Sequence, residues 1–432
     1  MHSRHYKRYL LLLLLFILGF NFADRTALGL VLDDIKTDLS LTDTQLGFLS
    51  GIAFAVFYSI MGIPIARWAD RGNRVLIIGL TTAVWSAAVA LCGIVGNYLQ
   101  LLLARIAVGV GEAGCVPPAN SLIADFFSRA ERPRAVAMYM QGIPASLLIG
   151  YFVSGWLSQF YGWRTMFVLI GLPGLVLAAV AWLSMKEPRR SSAGRGAKVW
   201  RAQASFKEVC ATLWVNRTFR HLLYAYSVFF FFSYGGFQWT PAFFVRSFGL
   251  KTGELGTWLA VVYGVGSIVG TYWIGEWASR RAPHDERRQL RGLALLLVVS
   301  GILGALVYIP HFAPDRYWAF VWLGLSTLAG MINGPAFAAI QTLVPERMRA
   351  TAVALVYLFA NLIGLGFGPW VVGALSDFLR PWQGAESLRY ALLTLSPGYF
   401  WVSWHLWKAS TTVSADLNTL RGASESGIPQ EA

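Results

Sequence analysis

Runs of about twenty apolar residues recur along the chain, and each is long enough to cross the hydrocarbon core of a membrane as a helix. Twelve can be read, at 9–30, 44–65, 75–95, 99–123, 135–160 and 165–185, then at 221–245, 255–277, 292–309, 317–343, 350–375 and 388–407. A backbone in lipid must satisfy its own hydrogen bonds, so such a pattern predicts an all-α membrane protein. Charged residues are 13% of the chain, about half their share in a soluble domain. The formal charge of +14 would suit nucleic acid, but the Lys and Arg residues fall in short clusters between apolar runs. No nucleic-acid partner is therefore expected.

Those clusters orient the stack. The N-terminus, the alternate loops after spans 2, 4, 6, 8 and 10 and the C-terminal tail together hold 27 of the 36 basic residues, which places both termini in the cytosol. Arg4, Lys7 and Arg8 ahead of Leu10 to Phe20 and Ala23 imitate a cleavable signal. Cleavage would leave eleven spans and put the C-terminus outside, against the charge count, so the run is read as the first span. Cys92, Cys115 and Cys210 carry no disulfide argument. The Asn216-Arg217-Thr218 triplet lies on the cytosolic side and should stay unglycosylated.

The basic connection at 186–220 divides the chain. Residues 1–185 form one six-helix bundle and 221–408 a second. Within the connection, Phe206, Val209, Cys210, Leu213 and Trp214 recur at helical spacing and predict a helix on the membrane surface. Residues 409–432 are small and polar and read as a disordered tail. The two bundles resemble each other. Arg134-Ala135-Val136-Ala137 is echoed by Arg349-Ala350-Thr351-Ala352, the segment Gly155 to Phe160 by Gly373 to Phe378, and Pro118 by Pro335. Pseudo-symmetric halves imply alternating access around a substrate held near the bilayer midplane.

Four charges lie deep in two of these runs, where they are costly: Asp24 and Arg25 in the first span, Arg105 and Glu112 in the fourth. Arg105 and Glu112 are seven residues apart and return to one helical face, with Gly109 and Gly111 allowing a neighbouring helix to approach. Burial favours the protonated acid and a guanidinium favours the ionised one, so the pair has the makings of a proton switch. Asp24 and Arg25 point about 100° apart and each needs its own partner. Asn21 shares the Asp24 face, which is expected to meet span 4. Asp24, Glu112 and Arg105 are thus candidates for proton coupling, and Arg25, with Asn21 beside it, for binding substrate; the other reading is a fixed ion-pair network joining two helices.

Softer candidates surround them. Gln141, Gln238, Asn333 and Asn361 are amides in apolar context, suited either to substrate or to joining helices. Tyr234 belongs to an aromatic seventh span that is either a cavity wall or lipid-facing bulk. Between spans 2 and 3, Asp70, Arg71 and Arg74 suit a cytosolic gate, with Arg134 at the start of span 5. No Walker loop, HExxH, CxxC or Gly-x-Ser-x-Gly occurs, which leaves no support for an enzyme, a metal or a cofactor. A proton gradient is the expected driving force.

The segment Ala66 to Arg74, the run Arg105-x3-Gly109-x-Gly111 and the turn Gly162-Trp163-Arg164 resemble motifs of the major facilitator superfamily. The segments Asn21-Phe22-Ala23-Asp24-Arg25, Leu32-Asp33-Asp34-Ile35 and Gly109-Val110-Gly111-Glu112-Ala113 are similar to those of its spinster lipid transporters. That resemblance implies twelve transmembrane helices in two bundles and a monomeric, proton-driven transporter of an amphipathic lipid such as a lysophospholipid or sphingosine phosphate. It implies roles in proton coupling and substrate handling for Asp24, Arg25, Arg105 and Glu112. The short loops suit a bacterial member in the inner membrane. A small organic anion or drug-like compound is the alternative substrate, and a non-transporting receptor or scaffold the alternative class.

Overall fold

The computed structural model describes residues 3–128, 130–188, 206–282, 285–345 and 348–425. Among them the regular structure is helical, and nine stretches are long and apolar enough to cross a membrane. The first half contains α1 (Arg4–Leu30), α2 (Leu32–Leu39), α3 (Asp43–Ser50), α4 (Ile52–Arg71), α5 (Arg74–Cys92), α6 (Tyr98–Glu112), α7 (Val116–Phe126), α8 (Arg132–Met140) and α9 (Gly142–Ser184). After the connection come α10 (Phe206–Val215), α11 (Arg217–Phe248), α12 (Thr252–Leu259), α13 (Gly266–Arg281), α14 (Glu286–Tyr308), α15 (Arg316–Ala329), α16 (Asn333–Thr342), α17 (Arg349–Phe359), α18 (Gly368–Gln383), α19 (Ser387–Leu393) and α20 (Ser396–Glu425).

Polar residues set the helix starts. Ser3, Asn73 and Asn97 cap α1, α5 and α6 by accepting from the third backbone N–H beyond them, and Thr42 with Gln45 forms a capping box on α3. Gly162, at φ +78°, breaks the long α9 where the sequence places a turn between spans 5 and 6. Just beyond it the Trp163 indole and the Arg164 guanidinium both hold Asp38 of α2, at 3.1 and 2.9 Å. Spans 5 and 11 both depart from regular helix. The helix is interrupted at Gln141, and widens to a π-helical stretch at Ala360–Phe367.

The described residues pack as two compact units. The first draws on Met1–Gly196, Phe237–Val265 and Pro369–Ala391, and the second on Ala197–Gly236, Gly266–Gly368 and Leu392–Ala432. In the first, α1 and α5 pack along α9, and Leu10, Leu14 and Ile17 meet Ile78, Leu122 and Tyr139 in the core. Lys7 at the start of α1 pairs with Glu131 at 2.9 Å; that bond, with those from Ser128, draws the Glu131 carboxyl down to about 2. Large apolar side chains such as Leu12, Phe16, Ile60 and Leu103 stay exposed, as a lipid-facing surface requires. In the second unit, Phe219, Leu222 and Tyr226 pack with Leu297, Ile340, Val356 and Leu406.

Two features of the connection and tail are now visible. Of the expected surface helix, α10 is present at 206–215; its Val209 and Leu213 pack into the second unit while Trp214 stays exposed. The part at 189–205 lies outside the described residues. The expected disordered tail after Lys408 is corrected as far as Glu425, because α20 continues to there. Ala409, Ser410 and Val413 are buried, and Asp416 accepts the Thr218 N–H at 2.8 Å. Those long-range contacts are invisible to a composition argument.

Arg74 is fully buried within the first unit. It reaches Glu187 at 2.5 Å, Asp125 at 2.7 Å and the Ser121 carbonyl at 3.0 Å. Substitution Arg74→Ala would strand Glu187, so a loss of about 3 to 5 kcal/mol is expected. It would be read as a lower melting temperature of the detergent-solubilised protein, with Arg74→Lys recovering only part because an ammonium cannot reproduce the fork.

Candidate functional site

The four membrane charges converge within the first unit. α6 ends at Glu112 because three glycines and then Pro117 and Pro118 interrupt the helical run. It also lies close against its neighbours. A methyl group on Gly109 would sit 2.8 Å from the Phe54 carbonyl oxygen, and one on Gly111 2.6 Å from the Trp85 nitrogen. This brings α6 deep into the bundle, so that Arg105 and Glu112 face α1.

The pairing is crossed. Arg105 Nη1 donates to Asp24 Oδ2 at 2.7 Å, while Arg25 donates to Glu112 Oε2 from Nη2 at 2.6 Å and Nε at 3.1 Å. Asp24, Arg105 and Glu112 are buried. The expected meeting of the Asp24 face with span 4 is present, but the expected local competition between Arg105 and Glu112 is replaced by one between Arg25 and Glu112. Arg25 is further enclosed by aromatic rings, 4.3 Å from the Phe22 centroid, 4.6 Å from Phe54 and 5.4 Å from Tyr58.

The remaining carboxyl oxygens complete the arrangement. Asp24 Oδ1 and Glu112 Oε1 are buried without a donor. Ionised carboxylates only accept, so an oxygen without a donor is the place where either acid can take up a proton. With two guanidinium groups opposite, the cluster is neutral without that proton and carries one positive charge with it. Asn21, one turn before Asp24, is buried with its amide nitrogen unpartnered.

The other sequence candidates scatter. Gln238 is buried in the first unit against Gly29, with Nε2 unpartnered. Gln141 is exposed at the break before α9. Tyr234, Asn333 and Asn361 belong to the second unit. There Tyr234 packs on Phe230 at 5.5 Å, and the Asn333 carbonyl accepts from the Tyr226 hydroxyl at 3.2 Å. Among the gate candidates, Arg74 serves inside the first unit, Arg71 and Arg134 are exposed, and the Asp70 side chain lies outside the described residues.

A second charged cluster sits at the end of the first unit that the charge count assigns to the outside. Arg246 of α11 donates to Asp33 at 2.7 Å and to both oxygens of Asp43, at 2.7 and 2.8 Å. Asp43 also accepts from Lys36 at 2.5 Å and from Ser376 of α18 at 2.7 Å. Asp377 accepts the Asp43 and Thr44 N–H groups that start α3, at 3.2 and 2.7 Å. This latch escaped sequence reasoning, in which Arg246 counted only as an outer-loop charge. The adjacent acids Asp33 and Asp34 on the same side were the available signal.

Buried ion pairs within a bundle of apolar, membrane-length helices mark this chain as an integral membrane protein with charged residues in its interior. The Major Facilitator Superfamily model matches residues 14–385, and the chain belongs to that superfamily. It is 33% identical over 382 residues to an MFS-type efflux pump of Mycolicibacterium smegmatis, covering 87% of this chain and 86% of that one. It is 26% identical over 401 residues to a probable L-galactonate transporter of Escherichia coli, at 89% and 84% coverage. A solved bacterial homologue of the human lysosomal transporter Spinster, inward-facing and unoccupied, superposes with a TM-score of 0.85 at 29% identity, covering 96% of this chain and 99% of that one. The resemblance to spinster proteins read from the motifs is thus matched in three dimensions.

Proposed function

We propose that the chain is a proton-coupled secondary transporter of an amphipathic lipid, lysophospholipid or sphingosine-phosphate-like, working as a monomer by alternating access in a bacterial inner membrane with both termini cytosolic. The carrying observation is a pair of buried carboxyls, Asp24 and Glu112, each held through one oxygen by an arginine while its other oxygen lacks a donor. A proton taken up on Glu112 cancels its negative charge, and Glu112 then holds Arg25 less strongly. Its position at the C-terminal end of α6, where the helix dipole opposes an anion, acts in the same direction. The released guanidinium can pair with the phosphate of a substrate, with Phe22, Phe54 and Tyr58 offering apolar surface to the chain. Loss of the proton restores the Arg25–Glu112 bond and expels the headgroup.

Uptake of labelled lysophospholipid into proteoliposomes under an imposed pH gradient tests this. Gradient-dependent uptake is expected in wild type, and loss of it in Asp24→Asn and Glu112→Gln. Unchanged substrate-coupled proton flux in both variants would overturn the proton switch, and no gradient-dependent lysolipid movement would remove the lipid. The second reading, a small organic anion or drug-like substrate neutralised by Arg25 and Arg105, is supported by the names of the efflux pump and the sugar-acid transporter.

A further inference from the structure

Two stripes in the second unit carry matched chemistry. On α11, Arg217, Arg220, His221 and Tyr224 fall at i, i+3, i+4 and i+7; on α20, Trp401, Trp404, His405 and Lys408 do the same. The histidines join the stripes, with Nδ1 of His221 and Nδ1 of His405 2.9 Å apart. Trp401 and Trp404 stack edgewise on His405, with centroids at 4.1 and 4.7 Å, and Tyr224 does so at 5.6 Å. Because the helices run antiparallel, the aromatic members gather at one end of the paired stripes and the cations at the other. Trp401, Trp404 and Tyr224 are each 40% or more exposed. Arg217 and Lys408 are exposed and Arg220 half-buried. Asp416, two turns beyond Lys408 on α20, is engaged with the Thr218 N–H.

We propose that this face binds an anionic phospholipid of the leaflet next to the termini. Its phosphate would lie among Arg217, Arg220 and Lys408, and its glycerol and upper acyl region against Trp404, Trp401 and Tyr224. Charge complementarity selects the occupant. Three cations against one engaged acid suit a negative headgroup, and indole rings half in lipid suit the interfacial layer directly above it. A zwitterionic lipid would match the aromatic end alone. The site does not depend on the transported substrate.

The purified full-length protein in neutral detergent, titrated with phosphatidylglycerol or with phosphatidylcholine of the same chains, supplies the test. Phosphatidylglycerol is expected to raise the melting temperature by about 2 to 4 °C and phosphatidylcholine by much less. The triple variant R217A/R220A/K408A is expected to bind phosphatidylglycerol roughly 100-fold more weakly, as read by lipid retention in native mass spectrometry, while folding as wild type does without lipid. R316A, a basic residue at the start of α15, is the control that should change nothing. Equal stabilisation by both lipids would overturn the proposal, as would undiminished retention in the triple variant. An equal shift with inorganic phosphate alone would reveal an anion site without a lipid and overturn it too.

Discussion

Alanine at Arg25 is expected to abolish transport and to destabilise the first unit by about 3 to 5 kcal/mol, because it leaves the fully buried Glu112 with no cation on its side. The double variant R25A/E112Q is expected to regain most of that stability, since no stranded charge remains. It should still not transport. Arg25→Lys is the informative intermediate. It keeps the charge but loses the second donor to Glu112 and the planar face against Phe22 and Phe54. A cation–aromatic contact contributes about 0.5 to 2 kcal/mol, so a fall in rate of roughly tenfold is expected. Melting temperatures in detergent and initial uptake rates complete the cycle. Simple additivity of the two single losses would show that Arg25 and Glu112 do not act as a pair.

The depth of the four charges was legible from sequence because lipid penalises them wherever they point. Their partners were not. Arg105 and Glu112 share a helical face, and that local geometry suggested a pair; the observed bonds run to α1, and they depend on how closely Gly109 and Gly111 let α6 enter the bundle. Phe54 and Tyr58 carry no sequence mark of a role, since an aromatic residue acquires its role from a cation on another helix. Gln141, Asn333 and Asn361 were chosen as polar residues in apolar runs. Helix breaks explain two of them, because Gln141 and Asn361 sit where the backbone departs from regular helix. The duplicated halves were visible as a repeat, but the packing is not divided by that repeat. Parts of α11, α12 and α18 join the first half because Gly47, Gly155, Gly256 and Gly373 permit backbone contact there.

Loss of Arg246 is the second change expected to have a large effect, and its effect should be conformational. The guanidinium ties Asp33 and Asp43 to α11 through three charge-assisted hydrogen bonds, with Asp43 buried and Arg246 partly exposed. Each such bond in isolation is worth about 1.5 to 3 kcal/mol, but solvent reaches Arg246 and Lys36 remains on Asp43 to share the charge. A net change of about 2 kcal/mol follows, or roughly a 30-fold shift in the open-to-closed ratio at this end. Cysteine introduced at the buried Gln238 should therefore react much faster with an impermeant maleimide added from outside in R246A than in the parent, both carrying Cys210→Ser. Arg246→Lys should fall between, and Asp377→Asn should change little because its amide oxygen still caps α3. Were labelling unchanged in R246A, closure would rest on packing alone. A methyl group on Gly373 would lie 2.2 Å from the Asp43 carbonyl oxygen and one on Gly47 2.5 Å from that of Pro369, so Gly373→Leu would then open this end where removal of the charge could not.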